Sequence, residues 1–212
     1  MALALFDLDN TLLQGDSDHA WGEFLVRHKL VDPQVYQRNN DQFLQQYQAG
    51  NLDMAAYLAF TLPILTQFTP SQLDQLHRQY MQESILPMVL PKGRQLLDQH
   101  RRMGDTLVII TATNNFLTAP IAQHLGVEHL LATCADHNQR GYTGKVAGIP
   151  CFQAGKVKRL QQWLATQQDS RLQLATAHGY SDSHNDLALL QAVGYPVAVD
   201  PDARLQAHAT AQ

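Results

Sequence analysis

The sequence predicts an α/β protein: a doubly wound parallel sheet core that carries an inserted, all-helical cap. Short apolar runs alternate with helical segments over most of the chain, which is typical of parallel sheets with right-handed crossovers. The first two apolar runs are separated by about three times the ~30 residues that a crossover unit needs. This surplus contains helical patterns and no strand signal, so we interpret it as a helical insertion.

The composition is that of an ordinary globular protein. Its 212 residues are 45% hydrophobic and 16% charged, with a net charge of −4. This charge indicates no polyanion-binding surface, so we expect neither nucleic acid nor a membrane as a main partner. A signal segment and an apolar run of ~18 residues are not found, and two cysteines are too few for a disulfide framework. We therefore expect a cytoplasmic protein.

The first strand is predicted in the apolar run at residues 2–6, and Asp7 and Asp9 follow at once. Four helices are predicted next, and each begins at an N-cap signal: Asp16-Ser17, Asp32-Pro33, Asp53 and Thr69-Pro70. We assign residues 1–14 and 84–212 to the catalytic core and residues 15–83 to the cap.

The alternation of strands and helices then returns. Helices are predicted at residues 91–103, 115–125, 155–166 and 185–192, and strands at 106–110, 130–135, within 172–180 and at 195–199. Residues 138–148 form a turn-rich pattern that predicts a hairpin.

Polar residues follow several of these strands, at the edge where open parallel sheets bind ligands. They are Asp7 and Asp9 after the first strand, Thr111 after the second, Lys156 at the start of a helix, and Asp182 and Asp186 in "SDSHND". Aspartate oxygens suit a magnesium ion that keeps several waters and takes another oxygen from a substrate phosphate. Such an ion would offset the repulsion between the acids.

Two neighbouring acids suit two different roles in phosphoryl transfer. One aspartate can attack phosphorus, while the other protonates the leaving alkoxide and then activates water. Lys156 would add positive charge, and Thr111 would donate a hydrogen bond to a phosphoryl oxygen.

This set resembles the four motifs of the haloacid dehalogenase (HAD) superfamily, in its phosphatase branch. The matching segments are Asp7-Leu8-Asp9-Asn10-Thr11, Thr111 in "VIITAT", Lys156 in "AGKVKRL", and Asp182 with Asp186 in "YSDSHNDLALL". Lys158 and Lys145 are alternatives for the lysine.

The resemblance implies a Rossmann-like, HAD-like core, a Mg²⁺ cofactor and a phosphoaspartate mechanism. Asp7 would be the nucleophile and Asp9 the general acid/base. Thr111, Ala112 and Lys156 would bind the phosphoryl group. Mg²⁺ would bind Asp7, the backbone carbonyl of Asp9 and Asp182, with Asp186 linked to its waters.

The helical insertion resembles the first class of cap, as in phosphoserine phosphatases. Related bacterial hydrolases include some assigned to histidinol phosphate. Asp16 stands where phosphoserine phosphatases have a glutamate that meets the substrate amine, although Asp16, Ser17 and Asp18 also fit as helix caps. The arginine that meets the serine carboxylate has no matching position, and Arg27 and Arg38 are the nearest candidates.

We therefore predict a hydrolase of a small, amine-bearing phosphate ester such as phosphoserine or histidinol phosphate, acting as a monomer or homodimer. Asn185 would either reach the phosphate or cap its helix, and His178 and His184 would flank the site. Two alternatives remain. One is a phosphotransferase that uses the same phosphoaspartate. The other is a non-enzymatic regulator phosphorylated on Asp7, which Asp9 disfavours because an acid/base shortens the lifetime of a phosphoaspartate.

Overall fold

A six-stranded sheet flanked by helices is formed by residues 2–211, which are the residues that the computed structural model describes. The strands are β1 (Leu3–Phe6), β2 (Thr106–Asn114), β3 (His129–Asn138), β4 (Gly141–Ala147), β5 (His178–Ser181) and β6 (Tyr195–Ala198). Their order is β4-β3-β2-β1-β5-β6, and only β3 and β4 pair antiparallel. The predicted fold class is confirmed.

The helices are α1 (Ser17–Arg27), α2 (Pro33–Ala49), α3 (Met54–Thr61), α4 (Pro70–Tyr80), α5 (Leu86–Met88), α6 (Pro91–Met103), α7 (Asn115–His124), α8 (Ala154–Thr166), α9 (Leu187–Ala192) and α10 (Ala203–Thr210). The four predicted N-caps are confirmed, since Asp16, Asp32, Asp53 and Thr69 each accept a hydrogen bond from the first turn of their helix. Thr69 forms a full capping box with Gln72. No helix within residues 2–211 is long and apolar enough to cross a membrane.

Strand β1 lies in the middle of the sheet, between β2 and β5, and its four residues are fully buried. Leu3 and Leu5 contribute to the hydrophobic cluster on one face, and Ala4 and Phe6 to the cluster on the other, because successive side chains of a strand point to opposite faces. An apolar run without polar alternation is therefore what this position requires.

The chain turns sharply after β1. Asn10 has a positive φ of 55°, which asparagine tolerates better than most residues. The amides of Leu12 and Leu13 both donate to the carbonyl of Leu8, at 2.8 and 3.0 Å. This turn sends the chain into α1 directly above the end of β1.

The helices between β1 and β2 share a continuous hydrophobic cluster with one face of the sheet. At its centre, Trp21 of α1 stacks on Phe24 with ring centroids 5.2 Å apart. The same indole contacts Tyr80 of α4 and Phe116 of α7 edge-on, at 5.2 and 5.6 Å. The insertion is thus packed onto the sheet through large aromatic side chains.

Two predicted details were wrong: the place of Thr111 after its strand and the place of His178 beside the site. Strand β2 continues to Asn114, so Thr111 lies within it and not after it. Within the predicted range 172–180, strand β5 begins only at His178, since residues 174–176 form a 3₁₀ turn. His178 therefore lies at the start of β5, away from the edge where Asp182 follows the strand, and does not flank the site. Helix α10 was not predicted.

Candidate active site

Side chains from three segments meet beyond the end of β1. Asp7 is 2% exposed, and its Oδ1 accepts a hydrogen bond from the Lys156 ammonium at 2.7 Å. The same ammonium donates to Asp186 Oδ2 at 2.6 Å. Lys156 and Asp186 are each 1% exposed, so the structure places a buried lysine between two buried carboxylates.

Lys156 reaches this position from the first turn of α8. Gly155 is required next to it, because a Cβ at that residue would lie 2.1 Å from the carbonyl oxygen of Pro150. The alternative lysines, Lys158 and Lys145, are both exposed. Of the three lysines, Lys156 is thus the one that contacts the aspartates.

Asp9 is bound by neutral donors. Its Oδ1 accepts from the backbone N–H of Ser17 at 2.6 Å, and its Oδ2 accepts from the Thr113 hydroxyl at 2.9 Å. Sequence reasoning missed both partners. The signal for Ser17 was its place at the start of α1, where unpaired N–H groups favour an anion. Thr113 lies two residues after Thr111 in β2, which puts both on the same face of the strand.

The residues after β5 complete the cluster. Thr11 and Asp182 pair reciprocally, since the Thr11 hydroxyl donates to Asp182 Oδ1 and accepts from the Asp182 amide, both at 3.2 Å. Asp186 Oδ2 accepts a second hydrogen bond, from Ser181 Oγ at 2.7 Å. Together with Lys156, these contacts hold the two acids of the fourth motif beside the first.

Asn185 has other partners than those expected. Its amide donates to the carbonyl of Tyr47 at 3.0 Å and accepts from Gln153 at 3.1 Å. The short helical turn at residues 184–186 is capped by Ser183, whose hydroxyl accepts a hydrogen bond from the backbone N–H of Asn185. The structure therefore uses Asn185 to join α2 to the loop after β5, and phosphate binding by this residue stays a prediction.

Burial raises the pKa of Asp7 and Asp9 to about 7 and that of Asp182 to about 8. Neighbouring carboxylates add to this effect: Asp186 acts on Asp7, Asp16 on Asp9, and Asp7 on Asp182. Burial alone would lower the pKa of Lys156, but the attraction of Asp186 and Asp7 raises it well above its usual value. Negative charge thus exceeds positive charge in the cluster.

The cluster fits a hard divalent cation. Asp7 Oδ2 and Asp186 Oδ1 are buried and have no hydrogen-bond partner within residues 2–211, which is costly for carboxylate oxygens. No three carboxylate, imidazole or thiolate side chains in that part of the chain are grouped closely enough to hold a metal alone. The fit to Mg²⁺ therefore depends on these two unpaired carboxylate oxygens, and a backbone carbonyl and waters would have to supply the remaining ligands.

A pocket of about 550 Å³, its open mouth included, connects this cluster to the helical insertion. Asp7, Asp9, Thr111 and Ala112 line its floor, and Asp16 is among the residues that α1 and the loop before it contribute. Neither arginine considered for a substrate carboxylate lines it. Arg27 instead donates to Glu83, at 3.3 Å, and Arg38 is exposed.

Comparison with known proteins gives the family. The model of the haloacid dehalogenase-like hydrolases matches residues 4–191. The chain belongs to this family. It is 40% identical to a histidinol-phosphatase of Neisseria meningitidis over 208 residues, which are 98% of this chain and 94% of that protein.

Two further comparisons agree. A phosphoserine phosphatase of Mycobacterium tuberculosis is 33% identical over 210 residues, 97% of this chain and 67% of that protein. The crystal structure of a protein of unknown function from Bordetella pertussis superposes with a TM-score of 0.91 at 40% identity, covering 99% of this chain and 95% of that one. The predicted family and enzyme class are confirmed: this HAD-like hydrolase is a phosphoric monoester hydrolase, which sets the non-enzymatic alternative aside.

Proposed function

We propose that this HAD-like hydrolase dephosphorylates a small, amine-bearing metabolite through a phosphoaspartate on Asp7, with Mg²⁺ as cofactor. One observation carries the proposal. Asp7 is a buried carboxylate in the same pocket as Asp9 and Thr111. One of its oxygens is bound to Lys156, and the other has no hydrogen-bond partner among residues 2–211.

Two half-reactions follow from this arrangement. In the first, the free oxygen of Asp7 forms a bond to phosphorus while the ester bond breaks, and Asp9 gives its proton to the leaving oxygen. In the second, Asp9 takes a proton from water, the water oxygen attacks phosphorus, and the bond between Asp7 and phosphorus breaks to release phosphate. The Ser17 and Thr113 donors keep Asp9 in place for both steps.

The remaining residues stabilise charge. Lys156, Thr111 and Ala112 would bind the phosphoryl oxygens. Asp7, the Asp9 carbonyl and Asp182 would hold Mg²⁺, with Asp186 reaching its waters, and the bound ion would neutralise charge as the phosphate approaches the acids. We propose residues 15–83 as the cap that covers this reaction and excludes water.

For the substrate, we propose an amine-bearing ester that is closer to histidinol phosphate than to phosphoserine. Asp16 lines the pocket and can accept a hydrogen bond from an ammonium group. No lysine or arginine is found among the pocket-lining residues of the described chain, so a substrate carboxylate would lack a partner. The 40% identity with the histidinol-phosphatase supports the same choice.

The decisive experiment is the substitution Asp7→Asn. We expect kcat for p-nitrophenyl phosphate and for histidinol phosphate to fall by at least about 10³-fold, because the amide cannot act as nucleophile. Asp74→Asn, which removes an exposed acid from α4, should leave kcat unchanged. Normal turnover by a folded Asp7→Asn variant would exclude the mechanism. Phosphate transfer to added alcohols would identify the phosphotransferase alternative.

A further inference from the structure

The part of the pocket nearest the helical insertion contains a second acid that the reaction does not use. Asp18, in the first turn of α1, is 6% exposed and lines the same pocket as Asp16. It is not the cap of its helix, since Asp16 accepts the capping bond from the His19 amide at 2.8 Å. Its carboxylate is therefore not needed to begin α1.

Neighbouring residues hold Asp18 in place. The Asn114 amide at the end of β2 donates to Asp18 Oδ1 at 3.3 Å, and Tyr57 of α3 lies near this carboxylate and lines the same pocket. A carboxylate has about four lone-pair sites, so this one donor leaves room for more. Burial raises the pKa of Asp16 and of Asp18 to about 6, which leaves both charged at neutral pH and poorly solvated.

A separate observation points to a ligand at this place. The Thr61 side chain lines the pocket and is 7% exposed, yet its hydroxyl has no hydrogen-bond partner within residues 2–211. Buried hydroxyl groups are normally paired. Thr61 lies four residues after Tyr57 in α3, so the two side chains share one face of that helix. Tyr57 lies near Asp18 and lines the same pocket, which places the Thr61 hydroxyl on the side of the pocket that Asp18 occupies.

The charges facing the pocket decide what this ligand is. Near the phosphate, Lys156 offsets part of the charge of Asp7 and Asp186. Among the described residues that line the pocket, no lysine or arginine opposes Asp16 and Asp18. The nearest basic group, His19, is already bound through Nε2 to Asp41 at 2.8 Å. Two anions without a counter-charge, Asp18 buried and Asp16 partly buried, favour a ligand with two nitrogen donors and disfavour one with a carboxylate.

We propose that Asp18 and Thr61 form a specificity subsite for a second nitrogen of the leaving group, next to the amine that Asp16 binds. This inference rests on the proposed phosphatase function, and it restricts the amine-bearing substrates proposed there to a smaller class. The substrate is a phosphate ester of an amino alcohol that carries a further basic or N–H-bearing nitrogen and no carboxylate. The Asp18 carboxylate accepts from that nitrogen, and the Thr61 hydroxyl completes its hydrogen bonding.

Steady-state kinetics with three esters tests the subsite. Histidinol phosphate has an amine and an imidazole, phosphoethanolamine has the amine alone, and p-nitrophenyl phosphate has neither. For Asp18→Asn, we expect kcat/KM for histidinol phosphate to fall by about 10- to 100-fold, the loss expected for a charge-assisted hydrogen bond. The values for the other two esters should stay within about twofold of wild type.

The remaining variants separate the two acids. Asp16→Asn should weaken both amine-bearing esters, whereas Thr61→Val should follow Asp18→Asn with a smaller loss, and the matched control Asp74→Asn should change none. An equal loss on all three esters for Asp18→Asn would overturn the subsite, since it would mean that Asp18 acts on the reacting acids. No loss on any ester, or a wild-type preference for phosphoserine, would also overturn it. A wild-type enzyme that hydrolyses no phosphate ester would instead contradict the proposed function itself.

Discussion

Asp7 and Asp9 are the same residue type two positions apart, and their neighbours make them different. Asp7 contacts a lysine ammonium, whereas Asp9 contacts an amide N–H and a hydroxyl. A cation favours the ionised form that a nucleophile needs. Burial raises the pKa of both acids to about 7, against the effect of the Lys156 ammonium at Asp7 and of the Ser17 and Thr113 hydrogen bonds at Asp9. For Asp9, a pKa near neutral suits a group that must give and take a proton.

The raised pKa values predict how pH changes the stability of the metal-free protein. Asp7, Asp9 and Asp182 have pKa values of about 7 to 8 when folded, against 3.8 as the ordinary value. Between about pH 4 and pH 8, the folded state therefore binds more protons than the unfolded state, and stability falls as pH rises. Mg²⁺ binds the ionised carboxylates, so its stabilising effect should be larger at pH 8 than at pH 5.5. Thermal unfolding with EDTA or with Mg²⁺ at both pH values measures this.

The substitution Asp182→Asn tests whether repulsion between these carboxylates causes the pH dependence of stability. It removes one repelling charge, so the metal-free variant should be more stable than wild type at pH 8, by about 1–3 kcal/mol. This gain in stability should vanish at pH 4. Mg²⁺ should also stabilise the variant less than it stabilises wild type. Asp74→Asn should alter neither quantity, and a destabilised variant at pH 8 would count against the electrostatic explanation.

At the scale of elements, the end of α2 is joined to the segment after β5. Arg204 of α10 donates to the carbonyl of Ala49 at 2.8 Å, and Asn185 donates to that of Tyr47. These are carbonyls of the last helical turn, which lack partners within the helix. Gly50 has a φ of 72°, and a Cβ there would lie within 2.3 Å of His184, so only glycine permits this close approach.

The substitution Arg204→Ala should weaken the connection between the end of α2 and the segment after β5. We expect amide hydrogen exchange in the last turn of α2 to become about 5- to 10-fold faster, since a hydrogen bond of about 1 kcal/mol is lost. Exchange in β1 should not change. Arg102→Ala, which removes an exposed arginine from α6, is the control. Equal exchange rates in wild type and Arg204→Ala would show that the contact does not hold α2.

Local signals predicted some elements and could not predict others. The N-caps of the insertion depend on a few adjacent residues, and all four were found. The start of β5 depends on distant chain, because Gly194 donates to the carbonyl of Leu174 at 2.8 Å and passes so close to Ala175 that a Cβ would lie 1.9 Å from its carbonyl oxygen. That approach accompanies a turn where the sequence alone favoured a strand.

The residues of the candidate site also divide into those that local sequence signals predict and those that depend on distant parts of the chain. The motifs identified Asp7, Lys156 and Asp182 because each has a fixed place after a strand or at the start of a helix. Ser17, Thr113 and Thr61 become relevant only when α1, β2 and α3 are brought together. The sequence places Ser17 at a helix start and Thr113 on the same strand face as Thr111, but it does not show which segment each side chain or amide meets.

Over the whole molecule, one hydrophobic cluster joins the proposed cap to the sheet. Phe6 and Ile109 of the sheet belong to the same cluster as Trp21 and Leu73 of the insertion. Because the two parts share this core, neither can lose it without exposing the apolar surface of the other. Unfolding should therefore be a single cooperative transition.

Trp21→Ala tests this shared core. The residue is 3% exposed and contacts three other aromatic rings, so its truncation should cost about 3–5 kcal/mol. Calorimetry should show one transition, moved to lower temperature. Trp163→Ala in α8, where the indole is only partly buried, should cost less. Two separate transitions, with only one of them moved, would contradict a shared core.

The sharp turn after β1 also affects how such an enzyme can diverge. It brings the insertion so close that Asp7, Asp9, Asp16 and Asp18 occupy a stretch of a dozen residues. A gene segment of a few dozen nucleotides thus encodes both the acids proposed to react and the acids proposed to choose the leaving group. Point mutations or recombination within that segment could retarget the enzyme in an evolving lineage, while the distant codons for Lys156 and Asp182 stay the same.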